Sequence, residues 1–379
     1  MPSDRQDAGW AETAASRHGR AAACREHCLK IRTACSQRPV RHTVEGHRHQ
    51  ADQWPNDEPW QVVREDGHRG YHNRVITTGV TRELAEWPEL PYEAWAPTME
   101  TLHMKLQVIG KVRLALTRRE PQWANVPLYL TARGLTTSPM WSGRTGFAID
   151  VDLIDHEVII ALNDGRVERV ALRARPVADF YQELIGRLRT LDIDPPITTV
   201  PSEVDDPIPF PQDTVHTAYE PEWAHRFWRL LARIDLVLKE HRGRFVGRAS
   251  PVSFWWGTFD LSVSRFSGRP VEPSSEWGLI RRVGGDAEQV CVGFWPGSTS
   301  LEEPAFFAYG YPAPAGIEEA AIRPTAAAWN PGIGEFILPY DGVRRSRDPR
   351  QAILDFAEST FLAGASRQGW DPALLVPYA

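Results

Sequence analysis

The sequence predicts an α+β protein made of two similar modules, each arranged as helix, antiparallel sheet and helix. Apolar residues recur at helical spacing in four long segments, and short alternating segments separated by turn residues lie between them. The same order of elements begins again after a linker rich in proline and acidic residues. We expect modules at residues 86–200 and 201–379, packed together as one body. Residue identity between the halves is low, so an internal duplication rests on element order alone, and coincidence stays open.

The first module is predicted to begin with a helix from Met99 to Thr117, capped by Thr98. This helix is apolar on nearly all sides, apart from a stripe formed by His103, Gln107 and Lys111, which are four residues apart. Polar groups on a largely buried helix need internal partners or a ligand. A solvated helix edge is the alternative interpretation.

Short strands and a second helix complete this module. The predicted strands are Val126–Thr131, Leu135–Ser138, Phe147–Leu153, Glu157–Leu162 and Arg166–Leu172. Asn163-Asp164-Gly165 is typical of a tight hairpin, because glycine tolerates the positive φ that such turns need. Pro176 begins a helix that ends at Leu191, and the linker Ile197–Glu220 follows.

The second module repeats this order. A helix begins at Pro221, and a final helix begins at Asp348-Pro349. The predicted strands between them are Val252–Trp256, Phe259–Phe266, Gln289–Phe294, Pro304–Tyr311 and Glu335–Pro339. The first predicted strand of each module begins at a proline, Pro127 or Pro251, which agrees with a shared plan.

Residues 1–85 differ from the rest of the chain. They are rich in Arg, His, Gln, Asp and Gly and have little hydrophobic periodicity, so we expect a disordered extension or an over-long gene model. Cys24, Cys28, Cys35 and His42 do not have the spacing of common zinc sites. No metal site and no cofactor is predicted.

The charge and hydropathy of the chain limit which classes of binding partner are expected. The net charge of −6 is mild and no Lys/Arg block is long, which argues against nucleic-acid or anionic-membrane binding. No apolar run approaches the roughly 20 residues of a membrane span, and no signal-peptide core is present. We therefore expect a cytoplasmic protein. Its 15 tryptophans favour aromatic-lined surfaces in addition to core packing.

Several longer motifs resemble a known family. The first half carries Trp87-Pro88-Glu89-Leu90, Thr101-Leu102-His103-Met104, Ala132-Arg133-Gly134-Leu135-Thr136-Thr137-Ser138-Pro139 and Val151-Asp152-Leu153-Ile154-Asp155-His156. The second half carries His216-Thr217-Ala218-Tyr219, Ser250-Pro251-Val252 through Arg269, Gly293-Phe294-Trp295-Pro296-Gly297, Tyr309-Gly310-Tyr311-Pro312 and Gly334-Glu335-Phe336. Together they resemble an uncharacterised bacterial family, domain of unknown function 5996, from Glu86 to the C-terminus.

That resemblance implies no activity, because the family has none assigned. The chain departs from the family pattern at Gln122-Trp123-Ala124, where a His-Trp-Trp type of run is expected. A functional histidine at that place is therefore not implied for this chain.

Candidate functional residues come from both halves and are taken as one pocket, organised around the aromatic stretch from Ser250 to Arg269. The candidate catalytic residues are His103, His216, Asp260 and Glu335. The candidate ligand-binding residues are Gln107, Lys111, Arg133, Thr137, Tyr219, Trp255, Trp256, Arg265, Trp295, Tyr309 and Tyr311. Arginines beside aromatics suit an anionic or planar ligand, whereas aromatics with carboxylates suit a saccharide. Trp255 and Trp256 are expected to face opposite sides of their strand.

Three classes of function stay open. The first is a module whose pocket binds an unknown small polar molecule, anionic or saccharide. The second is a metal-free enzyme that uses a histidine as base and Asp260 or Glu335 as acid. The third is an interaction scaffold. Structural roles compete with each: His103 could bond a core carbonyl, and Asp260 could pair with Arg265. The chain contains no G-x-S-x-G elbow, phosphate loop, dinucleotide fingerprint or H-E-x-x-H motif.

Overall fold

A computed structural model describes residues 87–273, 279–298 and 301–376, and the predictions for residues 1–85 lie outside this part of the chain. Helices and two antiparallel sheets make up the described residues, which confirms the α+β class. All of them fall within one compact unit. No helix of the described ranges is long and apolar enough to cross a membrane.

Helix α1, Tyr92–Leu116, begins seven residues before the predicted start at Met99. Pro91 directly precedes it and Pro97 lies inside its second turn, where proline is unfavourable in an isolated helix. Tertiary packing overrides that preference, because Trp95 and Leu102 are fully buried. Thr98 is therefore not a cap. Its Oγ1 accepts the backbone N–H of Glu220 instead.

The first sheet follows α1. Its strands are β1 (Tyr129–Leu130), β2 (Gly134–Thr136), β3 (Met140–Ser142), β4 (Thr145–Asp152), β5 (Glu157–Leu162) and β6 (Val167–Ala171). The order is β1-β2-β4-β5-β6, and β3 also pairs with β4. The alternation predicted for β4 is confirmed, since Phe147, Ile149 and Val151 are buried. Helix α2, Val177–Thr190, comes next.

The second half begins with helix α3, Pro221–Gly243, and continues with the second sheet. Its elements are β7 (Arg248–Ala249), β8 (Ser253–Trp255), β9 (Asp260–Pro270), α4 (Leu279–Gly284), β10 (Ala287–Trp295), β11 (Ala305–Tyr311), β12 (Ala328–Asn330), β13 (Glu335–Pro339), α5 (Tyr340–Arg344) and α6 (Pro349–Arg367). The strand order is β12-β13-β11-β10-β9-β7, and β8 also pairs with β9.

Both sheets contain an interrupted strand built in the same way. In the first, the N–H of Thr137 donates to the carbonyl of Ile149, and Thr137 Oγ1 accepts the N–H of Ile149. In the second, Ser250 makes the same two hydrogen bonds with Ser264. In each case the hydroxyl takes the place of a backbone acceptor where the strand is broken.

A proline lies near each of these hydroxyl residues: Pro251 directly follows Ser250, and Pro139 comes two residues after Thr137. Pro139 separates β2 from β3, and Pro251 separates β7 from β8. Proline lacks the N–H that a ladder needs, which explains the interruptions. The register makes Ser138 the counterpart of Pro251, because the next paired residues, Met140 and Ser253, each come three positions after Thr137 and Ser250. The two interrupted strands therefore share their hydrogen bonds, while their prolines lie one position apart.

Helix α1 and the first sheet are joined to the second sheet near the turn between β8 and β9. Leu128 and Phe254 exchange backbone hydrogen bonds, both of 2.9 Å between N and O. Trp256, which begins this turn, donates its indole N–H to the carbonyl of Val126. Its ring lies against Gly110 of α1, where any Cβ would overlap the indole.

We expect Gly110→Ala to lower the free energy of unfolding by about 1–3 kcal/mol, because the added methyl group would displace a buried tryptophan. The matched control is Gly186→Ala in α2, where an added Cβ meets nothing within 4 Å. That control should gain about 0.5–1 kcal/mol from the better helix propensity of alanine. Urea unfolding followed by tryptophan fluorescence measures both. Equal stabilisation of the two variants would contradict this packing.

Candidate functional site

The polar stripe of α1 is used for internal contacts. His103 Nε2 lies 3.0 Å from the carbonyl oxygen of Trp256 and 2.9 Å from that of Gly257. Gln107 Nε2 donates to the carbonyl of Ser202 at 2.7 Å, and its Oε1 accepts the N–H of the same residue at 3.0 Å. The stripe therefore fastens α1 to the β8–β9 turn and to the linker.

Lys111 completes the same set of contacts. Its Nζ donates to Thr198 Oγ1 at 3.1 Å and to Ser202 Oγ at 2.8 Å. Burial lowers the pKa of Lys111 and lowers the pKa of His103 to about 4, so the imidazole is neutral at physiological pH. These residues have the structural role that competed with the ligand-binding prediction.

The other first-half candidates are also engaged in local structure. Arg133 is half-exposed and forms ion pairs with Asp152 and Asp155 beside the β1–β2 turn. Thr137 is fully buried at the interrupted strand. Arg133 and Thr137, which belong to one motif, thus attach both ends of β2 to β4.

His216 and Tyr219 belong to the segment that precedes α3. His216 Nδ1 lies 2.8 Å from Asp213 Oδ2, and Asp213 is fully buried. The Tyr219 hydroxyl lies 2.9 Å from His156 Nδ1. Among the described residues, no hydrogen bond joins either predicted catalytic histidine to Asp260 or Glu335, so the predicted base and acid are not brought together.

Arg265 holds two helices against the second sheet. Its guanidinium makes two contacts of 3.1 Å with the Glu358 carboxylate and also bonds the carbonyl of His241. The Glu358 carboxylate in turn bonds His241 Nδ1 at 2.9 Å. Asp260 and Arg265 are five residues apart on β9 and therefore lie on opposite faces of the sheet, which excludes the alternative of an ion pair between them.

The second sheet brings six of the predicted residues to the face opposite Arg265. The register pairs Trp255 with Asp260, Ser264 with Cys291, and Cys291 with Tyr309, and the next pair along β11 and β13 sets Tyr309 beside Glu335. We call this surface the polar face; its residues are Trp255, Asp260, Ser262, Ser264, Cys291, Trp295, Phe307, Tyr309, Tyr311 and Glu335. Trp256 packs on the other side of β8, as the alternation predicted.

Two carboxyl groups of the polar face have pKa values that are raised to near neutral pH. Burial raises the pKa of Asp260 to about 7, against the opposing effect of hydrogen bonds from Thr258 and Ser262. Burial and the charge of Asp260 raise the pKa of Glu335 to about 7. Glu335 Oε2 is buried and has no hydrogen-bond partner among the described residues. A buried carboxylate oxygen without a partner is costly, which marks it as a place for an external donor.

The centre of the polar face contains a buried thiol. Burial raises the pKa of Cys291 to about 12, and its sulfur is hydrogen-bonded to Ser264 and Tyr309. The nearby Cys291 and burial also raise the pKa of Tyr309 well above its ordinary value. Because a thiolate is the reactive form of cysteine, Cys291 is packed as an inert thiol and is not a nucleophile.

Aromatic rings line one side of this surface. Trp295 is half-buried and stacks on Phe307, with 4.5 Å between ring centroids. The Phe307 ring is nearly parallel to that of Tyr309, at 6.3 Å. Aromatic rings of this kind offer apolar faces next to the two carboxyl groups.

Serine and cysteine on the polar face were not among the predicted residues. The signal for the serines was present, because Asp260, Ser262 and Ser264 alternate with apolar residues along β9. Cys291 gave no such signal, since it sits in an apolar run. Within the described ranges, no group of three His, Cys, Asp or Glu side chains is arranged to hold a metal ion.

A comparison with protein families identifies the chain. The matching family model covers residues 87–376 and is described as a family of unknown function, DUF5996. The chain belongs to DUF5996. The resemblance drawn from the sequence motifs is confirmed. No curated protein and no solved structure matches this DUF5996 chain.

We expect Glu335→Gln to stabilise this DUF5996 protein at pH 8 but not at pH 5. Folded Glu335 has a pKa of about 7, above its ordinary value of 4.5, so its ionisation costs stability as pH rises from about 4.5 through 7. Glutamine removes that cost, giving a gain of about 1–3 kcal/mol at pH 8. Urea unfolding at both pH values measures it.

The control for this measurement is Glu318→Gln, because Glu318 is exposed and lies outside the polar face. It should change stability by the same small amount at both pH values. A Glu335→Gln effect that does not depend on pH would contradict the raised pKa.

Proposed function

We propose that the polar face binds a small, neutral, hydroxyl-rich ligand of the saccharide class. The observation that carries this proposal is the buried Glu335 Oε2, which has no hydrogen-bond partner in the described part of the chain and lies on the same face as Asp260. Ligand hydroxyl groups would donate to these carboxyl oxygens. The half-buried ring of Trp295 provides an apolar face for the C–H groups of a sugar.

An anionic ligand is less compatible with the same surface. The arginines that favoured it in the sequence are bound to carboxylates elsewhere: Arg133 to Asp152 and Asp155, and Arg265 to Glu358. The carboxyl groups of Asp260 and Glu335 would repel an anion once ionised. The saccharide alternative therefore has better support than the anionic one.

A second candidate function is acid–base catalysis on such a ligand by Asp260 and Glu335 themselves. With pKa values of about 7, both groups are present in protonated and ionised forms near neutral pH. Many glycoside hydrolases use two carboxyl groups, of which one is protonated and the other ionised. Neither His103 nor His216 contributes to this version of the mechanism.

A function as an interaction scaffold has less support than saccharide binding or acid–base catalysis. The large exposed apolar side chains, among them Trp141, Val215 and Leu236, belong to different elements: a strand, the linker and a helix. A protein-binding surface is expected to gather such side chains into one patch.

The experiment is a thermal-shift titration of the full chain with neutral mono- and disaccharides and, for comparison, sugar phosphates. We expect at least one neutral sugar to raise the melting temperature through mass action. Glu335→Gln should weaken the affinity for that sugar about tenfold, because an amide replaces the carboxyl group that accepts a ligand hydroxyl. Glu318→Gln should respond as the wild-type protein does.

The same protein and sugar samples distinguish saccharide binding from catalysis. Cleavage of a disaccharide that depends on Asp260 and Glu335 would favour catalysis, and a shift without cleavage would favour binding alone. The proposal fails when no sugar shifts the wild-type protein, or when Glu335→Gln responds like Glu318→Gln.

A further inference from the structure

Glu203 of the linker sits beside the polar face in an unusual backbone conformation. Its φ is 58°, in the left-handed region that glutamate rarely adopts. Its carboxylate lies directly over Gly257, in the turn before β9, and occupies the space that a Cβ of residue 257 would fill. Strained residues of this kind persist only where surrounding contacts hold them.

The contacts that hold Glu203 come from the polar stripe of α1. Gln107 bonds both the N–H and the carbonyl of Ser202, the residue directly before Glu203. Lys111 bonds the Ser202 hydroxyl, and His103 bonds the carbonyl of Gly257. The backbone on both sides of the Glu203–Gly257 contact is therefore anchored to one helix.

The contact has an electrostatic consequence for the polar face. The charge of Glu203 is one cause of the raised pKa of Asp260, and burial raises the pKa of Glu203 itself. Glu203 has no hydrogen bond or ion pair to any other described residue. The Glu203 residue is exposed at the surface, whereas Asp260 is buried.

We infer that Glu203 is a further ligand-contacting residue of the polar face and that Gln107 is the residue that positions it. This inference rests on the proposed saccharide binding, and it adds that the ligand presents a hydroxyl or amino donor to the linker. It also gives the α1 stripe a role: the stripe does not touch the ligand but places an acceptor that does.

The positioning is tested without any ligand, by ¹³C NMR titration of the Asp260 carboxyl group in the full chain. Glu203→Gln should lower the pKa of Asp260, because a neighbouring negative charge is removed. Gln107→Ala should lower it as well, because the Glu203 carboxylate is released from Gly257. Asp205→Asn is the control: Asp205 is exposed on the same linker and should leave the pKa of Asp260 unchanged.

The ligand contact is tested with a neutral sugar that shifts the wild-type protein. Glu203→Gln should bind it about tenfold more weakly, and Asp205→Asn should bind it equally well. An unchanged Asp260 pKa together with unchanged sugar affinity in Glu203→Gln overturns the inference and leaves the proposed function intact. The absence of any sugar response in the wild-type protein overturns both.

Discussion

The packing of the Trp256 indole against Gly110 is the contact from which the geometry of the site follows. Only glycine at this position of α1 lets the helix approach the β8–β9 turn so closely. That approach brings His103 onto the carbonyls of the turn and Gln107 onto the linker. The turn leads directly into Asp260, so one contact between helix and ring aligns the linker, the turn and the start of the polar face.

The polar stripe of α1 and the polar face differ in how their polar groups are used. Gln107 and Lys111 of the stripe have partners inside the protein. Lys105 of the same helix, which is fully buried with a pKa lowered to about 7, likewise donates to the Arg173 carbonyl. On the polar face, Asp260 and Glu335 share a surface with aromatic rings, and no cation of the described ranges pairs with either carboxyl group. Burying two electrostatically coupled carboxyl groups on one face of a sheet costs stability, a pattern more typical of ligand sites than of packing.

Much of the architecture could be predicted from the pattern of apolar and turn residues alone. The predictions that failed did so for physical reasons. The boundaries of Glu157–Leu162 are confirmed, because a hairpin glycine and clean alternation bound that strand. Strands β3, β7 and β12 have only two or three residues, which is too short for an alternation of apolar and polar residues to be recognised in the sequence. Of the candidate residues named from the sequence, Asp260, Tyr309 and Glu335 share one face, and their role in a site stays a prediction. The sequence of the α1 stripe is equally compatible with a bound ligand and with contacts to the linker. Only the tertiary structure shows that the linker is the partner.

The most direct test of this account is the titration of the Glu335 side-chain carboxyl group in the wild-type protein, followed by ¹³C NMR. A carboxyl group with one oxygen buried and unpartnered among the described residues should hold its proton to near pH 7, with the charge of Asp260 as a second cause. We therefore predict an apparent pKa of about 7 for this group. A Glu335 carboxyl that titrates at its ordinary pKa of 4.5 would show that it is solvated or paired, and would contradict the ligand site.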